Sequence, residues 1–185
     1  MKVAALELGL PVWQPETLRG CQVRERLRAL QPDCGVVVAY GEILRPSVLA
    51  APRRGFVNVH ASLLPAHRGA SPVSAAILAG DAETGVSIML LDEGMDTGAI
   101  LAQRKIPIRP GTTAIELSDQ LAHLGAKTLT EVLPAYLRGT LAAVPQDDSK
   151  KSLAPKLTKQ NSHLDFILPA QTLLNQINAY QPWPG

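Results

Sequence analysis

The sequence predicts an α/β protein: an open, mostly parallel twisted sheet with helices on its faces. Three observations carry that expectation. Short β-branched or apolar runs alternate with helix-like stretches along the chain. One of those runs, "CGVVVAY", is apolar almost throughout, as parallel strands covered on both faces tend to be. Helix boundaries, finally, are marked by complete sets of capping residues rather than by loose changes in composition.

In chain order, Met1 leads directly into a helix-like "KVAALELG", with no strand before it to start a βαβ unit. Arg24–Leu30 reads as a second amphipathic helix, with Val23, Leu27 and Leu30 turned inward. Strands are expected at Cys34–Tyr40, Gly55–His60, Gly85–Leu91 and Ala99–Ile108. The Gly-punctuated "DEGMDTG" joins the last two as an antiparallel hairpin. Between the second and third strands, "SPVSAAILAG" sets Ser71 at an N-cap, Pro72 at the first helical position and Gly80 just past the end. "TAIE" (Thr113–Glu116) is a capping box opening a helix with Ile115, Leu117, Leu121 and Leu124 on one face. From about Val144 the chain becomes polar and lysine-rich and reads as an extended connector, followed by a helix over roughly Ala170–Tyr180.

Composition narrows the class of function. With 185 residues, the chain is long enough for one domain with a sizeable core. Aromatic residues make up only 4%, so alanine and leucine fill most of the interior. A formal charge of +2 is too mild to imply a nucleic-acid partner by itself. Cys21 and Cys34 lack metal-ligand spacing, which fits a reducing compartment. No apolar run is long enough to span a membrane, and Glu7 and Gly9 interrupt any secretory segment. A soluble, cytoplasmic protein is the expectation.

The chemistry-bearing stretch is "NVHASLLPAHRG". Strand side chains alternate, so Asn58 and His60 project to the same side, at the carboxyl end of a strand where open α/β sheets form ligand crevices. An amide donor beside an imidazole suits the oxygen of a carbonyl under attack. The same pair would also serve as the solvated end of an ordinary strand. Asp96, in the glycine-flanked loop "DEGMDTG", could bring a carboxylate to the imidazole, but Asp92 and Glu93 compete and spacing does not rank the three. His67 with His60 and Asp96 has only the spacing that loops produce by chance, so no metal is expected. Ser62 lacks the Gly-x-Ser-x-Gly elbow of a serine hydrolase, and "GDAETG" lacks the phosphate-cradling pattern of a P-loop.

Three blocks of the chain, "NVHASLLPAHRGASPV", "GDAETGVSIMLLDEGMDTGAIL" and "APKLTKQ…LDF…INAYQPWPG", closely resemble the methionyl-tRNA formyltransferases. These belong to the wider group of enzymes that use 10-formyltetrahydrofolate. The first two blocks are common to that group, whereas the third, with "AYGEIL" and "GLPVWQPETLR", points to the tRNA-modifying members. The resemblance implies a formyltransferase-type Rossmann-like core with Asn58, His60 and Asp96 as catalytic residues. It implies Ser62, Leu63, Leu64 and Pro65 as the tetrahydrofolate-binding loop, with Arg68 as loop support. The implied reaction passes a formyl group from 10-formyltetrahydrofolate to the α-amine of methionyl-initiator tRNA, without a metal or a membrane and in a full-length enzyme expected to be monomeric. His60 and Asn58 would stabilise the oxyanion, while Asp96 would fix His60 and assist proton transfer. Against the family pattern, residues 1–143 form a catalytic core that lacks the first strands. Residues 144–185 form a linker and helix leading toward a C-terminal β-barrel. Two alternatives stay open: another 10-formyltetrahydrofolate enzyme, acting on glycinamide ribonucleotide, an amino sugar or water, and a folate-binding module without turnover.

Overall fold

The computed structural model describes residues 1–185. Two helices come first, α1 (Lys2–Glu7) and α2 (Cys21–Ala29), then strand β1 (Gly35–Val38), the single-turn helix α3 (Pro46–Leu49) and β2 (Phe56–His60). The short strand β3 (Arg68–Gly69) and helix α4 (Pro72–Ala79) lead to the hairpin of β4 (Glu83–Leu90) and β5 (Ile100–Pro107). The long helix α5 (Ala114–Leu137), a two-residue strand β6 (Leu153–Ala154) and helix α6 (Ala170–Ala179) complete the order.

The main sheet is open, in the order β1–β2–β4–β5, while β3 and β6 pair separately. β1 runs parallel to β2, and β4 runs antiparallel to both its neighbours, so the strand directions are mixed. Parallel pairing resides in β1–β2 and β3–β6. The antiparallel β4–β5 hairpin follows from a connection too short to carry a crossover.

Side-chain alternation then divides the sheet into two faces. Val57 is fully buried in one apolar cluster with Ile88 and Leu101, against Leu129 and Val132 of α5. Val86 joins Leu117, Leu121, Ile77, Ala179 and Tyr180 in a second cluster. Burying each such leucine is worth roughly 1.5–3 kcal/mol. Gly125 lets α5 lie close on this face, since a Cβ there would stand 2.7 Å from a methyl of Val59. The opposite face carries Asn58, His60 and Ser87 and is covered by the loop between β2 and β3.

The helix expected at Arg24–Leu30 begins three residues earlier, at Cys21, but the boundaries of α4 and α5 hold for chemical reasons. Thr113 and Glu116 form a reciprocal capping box, and Thr113 holds the Glu116 carboxyl below its usual pKa through backbone and side-chain hydrogen bonds. Gly80 ends α4 in the left-handed region at φ +70°. Ser71 occupies the N-cap of α4, yet its side chain makes no capping bond.

Three expectations about burial need correction. Leu30, placed inward from the sequence, is 66% exposed because it lies at the C-cap, beyond the last residue of α2. Ile115 is 51% exposed: two residues from Leu117 it sits roughly 160° round the helix, off the Leu117–Leu121–Leu124 stripe. β1 is not covered on both faces, since Val36 and Val38 are each 43% exposed on an edge strand. The stretch from Val144 is also more ordered than a simple connector. Val144 bridges to Ile100, two 3-10 turns follow at Asp148–Lys150 and Lys159–Ser162, and β6 pairs in parallel with β3.

An apolar, singly paired edge invites edge-to-edge association. The double substitution Val36→Lys, Val38→Lys should reduce self-association measured by sedimentation velocity at high concentration. Identical concentration dependence in the parent and variant chains would contradict a role for this edge.

Candidate active site

β2 delivers Asn58 and His60 to the wall of a cavity of about 560 Å³, and the loop after β4 brings Asp96 to the same cavity. Val37, Leu44 and Leu91 make much of its wall apolar, while Tyr40 and Glu42 add polar groups. Burial, reinforced by Glu42 and opposed by Arg19, pushes the Tyr40 phenol above its usual pKa, so its hydroxyl stays protonated at neutral pH. Cys34 lies outside this lining, and burial raises its thiol pKa despite a hydrogen bond from the Val57 backbone, leaving it in the unreactive form.

The His60 ring is almost completely buried, and both of its nitrogens face identifiable groups. Nε2 lies 3.0 Å from the carbonyl oxygen of His67. A carbonyl only accepts, so Nε2 carries the hydrogen and Nδ1 is left as the acceptor of the neutral ring. Nδ1 faces the Asp96 carboxylate, 3.6 Å from Oδ2. Asp92 also lines the cavity, but it makes no ion pair with His60 and its Oδ1 accepts from Gly94 N and Thr97 Oγ1, while exposed Glu93 lies outside the lining. Asp96 is therefore the residue that geometry selects from the three.

Ser62–Pro65 occupy a different position from Asn58, His60 and Asp96. None of the four lines the cavity, and Ser62 and Leu64 are buried at 0% and 3% exposure. Their polar groups are used within the chain. Ser62 Oγ donates to Ala66 O, Ser87 Oγ donates to Ser62 O, and Leu64 N donates to Ser87 Oγ. Gln103 Nε2 donates to Leu64 O. This stitching fixes the loop that presents the His67 carbonyl to His60. His67 itself has φ +58°, with its ring 2.7 Å from Asp81 and its backbone N–H donated to Ser152 Oγ.

Arg68 supports the loop more extensively than its sequence position suggests. It is 4% exposed, donates through Nε and Nη2 to Gln146 Oε1, and pairs with Asp148 at 2.7 Å. Gly69 next to it donates its backbone N–H to Asp96 Oδ2 at 2.8 Å. Sequence reasoning missed Ser87, Gln103 and Gln146. Gln103 and Ser87 sit on paired strands with unremarkable alternation, and Gln146 meets Arg68 across 78 residues.

Residues 2–133 match the family model for formyl transferase. The chain belongs to the formyl transferase family. It is 53% identical to a methionyl-tRNA formyltransferase of Chloroflexus aggregans over 185 residues, all of this chain and 60% of that protein. A Synechococcus methionyl-tRNA formyltransferase is 56% identical over 182 residues, 98% of this chain and 56% of that protein. The chain thus spans less than two thirds of the length of these relatives. A sugar N-formyltransferase of a Shewanella species shares the fold, with a TM-score of 0.80 at 18% identity over 96% of this chain and 70% of that one. The resemblance read from the sequence is borne out at the level of the family.

Gly69 offers a direct check on how the wall of this cavity is assembled. Its φ of +120° is one that L side chains rarely adopt, and an added Cβ would stand 2.6 Å from Ala154 O. Gly69→Ala should destabilise the chain by about 1–3 kcal/mol, measured by urea unfolding. An unchanged midpoint would mean that β3 and β6 do not approach as described.

Proposed function

We propose that this chain carries the catalytic centre for transferring a formyl group from 10-formyltetrahydrofolate to the α-amine of methionyl-initiator tRNA, in the cytoplasm. The observation that carries the proposal is the convergence of Asn58, His60 and Asp96 on one cavity in a chain of the formyl transferase family. Identity of 53–56% to proteins named methionyl-tRNA formyltransferase favours this acceptor over the sugars named for the distant structural relatives. A cavity of about 560 Å³ with apolar walls and few polar groups suits a folate-sized donor. The trio and the cavity wall are the proposed contacts, while Ser62–Pro65 serve the donor site by holding the loop behind His60.

In this mechanism the α-amine attacks the formyl carbon, a C–N bond forms, and the carbonyl electron pair moves onto oxygen. The Asn58 amide donates to that oxygen, where negative charge develops. His60 Nδ1 accepts the proton released by the attacking amine, directly or through one water. Asp96 stands across from Nδ1 and balances the imidazolium that results. The bond from the formyl carbon to the donor nitrogen then breaks with its electron pair, and that nitrogen takes up the proton from Nδ1. Nε2 stays bonded to the His67 carbonyl throughout, so the ring exchanges its proton at one position only.

The test uses a chimera in which this chain replaces the matching residues of the Chloroflexus aggregans relative. It should formylate methionyl-initiator tRNA, and His60→Ala should lower kcat by at least ~10²-fold, the scale for losing a general base. KM for the folate donor should change little, because these groups act mainly on the transition state. Near-parental turnover in the His60 variant would remove His60 from the mechanism.

A further inference from the structure

Asp96 is held in an unusual way. Its backbone has φ +54°, a left-handed conformation that costs a non-glycine residue roughly 1–2 kcal/mol. Something must hold it there, and two contacts do. The carboxylate accepts the Gly69 N–H at 2.8 Å, and its backbone carbonyl accepts the side-chain amide of Gln146, also at 2.8 Å. The same Gln146 Nε2 donates to Gly98 O at 2.8 Å, so it spans the turn on both sides of Thr97.

The orientation of that amide is dictated by its other neighbour. Arg68 is a donor only, and it approaches Gln146 Oε1 through Nε at 3.1 Å and Nη2 at 2.7 Å. The amide oxygen must therefore face Arg68, which turns both N–H groups toward the two carbonyls of the Asp96 loop. All four hydrogen-bonding positions of Gln146 are used. The backbone places the residue there, because Val144 exchanges both hydrogen bonds with Ile100 at 2.8 Å, two residues before Gln146.

We infer that Gln146 is a positioning residue for the proposed formyl transfer: it locks the Asp96 turn so that the carboxylate faces His60 Nδ1. The inference rests on the reading of His60 and Asp96 given above. Gln146 does not line the cavity and acts only through Asp96. Glutamate at this position is the discriminating substitution. It keeps the shape and the contact with Arg68 but sets an acceptor against the carbonyls of Asp96 and Gly98. A residue needed only to fill space or to anchor Arg68 would tolerate that change.

Two measurements separate the possibilities. In the 185-residue chain, hydrogen exchange at the Gly69 amide reports directly on its contact with the Asp96 carboxylate. Gln146→Glu and Gln146→Ala should both accelerate that exchange by at least roughly 10-fold, while amides within α5 keep their protection. In the chimera with the Chloroflexus aggregans relative, both variants should lower kcat by roughly 10- to 100-fold, with KM for the folate donor within about 2-fold. Parental Gly69 exchange and parental kcat in Gln146→Glu would overturn the inference. A parent chimera without formyl transfer would instead defeat the functional reading, and the Gly69 exchange would still decide whether Gln146 holds Asp96.

Discussion

The hydrogen bond from His60 Nε2 to the carbonyl of His67 is the contact on which the rest of the site depends. It assigns one ring hydrogen, orients the imidazole and leaves Nδ1 toward Asp96. It also explains why so much of the chain is spent on Ser62–Pro65, which do not line the cavity. Ser62, Leu64, Ser87 and Gln103 exchange hydrogen bonds with one another or with their neighbours, and the result is a carbonyl in a defined place behind the ring. A loop without those anchors would let the imidazole rotate, and both its tautomer and its distance from the carboxylate would become variable.

A second constraint is the two-residue period of β2. Val57 and Val59 need an apolar partner and take it from α5, which Gly125 allows to approach closely. Asn58 and His60 must then appear on the other face. Both sets meet the cavity at the strand end, because Val59 and Val86 line it together with Asn58 and His60. Asp96 is different, because it comes from a turn and carries a strained backbone conformation. Strain of that kind persists where surrounding contacts over-determine it, and here Gly69 and Gln146 supply them. Asp148 adds an ion pair to Arg68, but its side chain is 71% exposed, so solvent screens that contribution.

Much of this was legible in the sequence, and the legible part shares a physical character. The capping box at Thr113, the Pro72 and Gly80 punctuation of α4, the "DEGMDTG" hairpin and the alternation of β2 are all local signals, expressed within a few residues. Expectations failed where the outcome depends on what packs nearby. Leu30 and Ile115 are apolar residues at helix ends that find no neighbour, and β1 is an apolar run with a partner on one side only. Asp96 could not be separated from Asp92 and Glu93 until its distance to His60 was known. Gln146 left no trace at all, because its contacts with the Asp96 loop and with Arg68 span 50 and 78 residues. The polar composition of its surroundings reads as a connector, although Val144 and β6 bind that segment to the sheet and to β3.

The proposed proton transfer depends on which nitrogen of His60 bears the hydrogen in the neutral ring. Nitrogen-15 correlation spectra of the histidine-labelled chain, assigned with a His60→Gln variant and recorded on the neutral ring, measure this directly. The structure requires the Nε2–H tautomer, with Nδ1 giving the shift of an unprotonated acceptor. A neutral ring protonated at Nδ1, with Nε2 bare, would break the bond to His67 and contradict the arrangement from which the proposed proton transfer was derived.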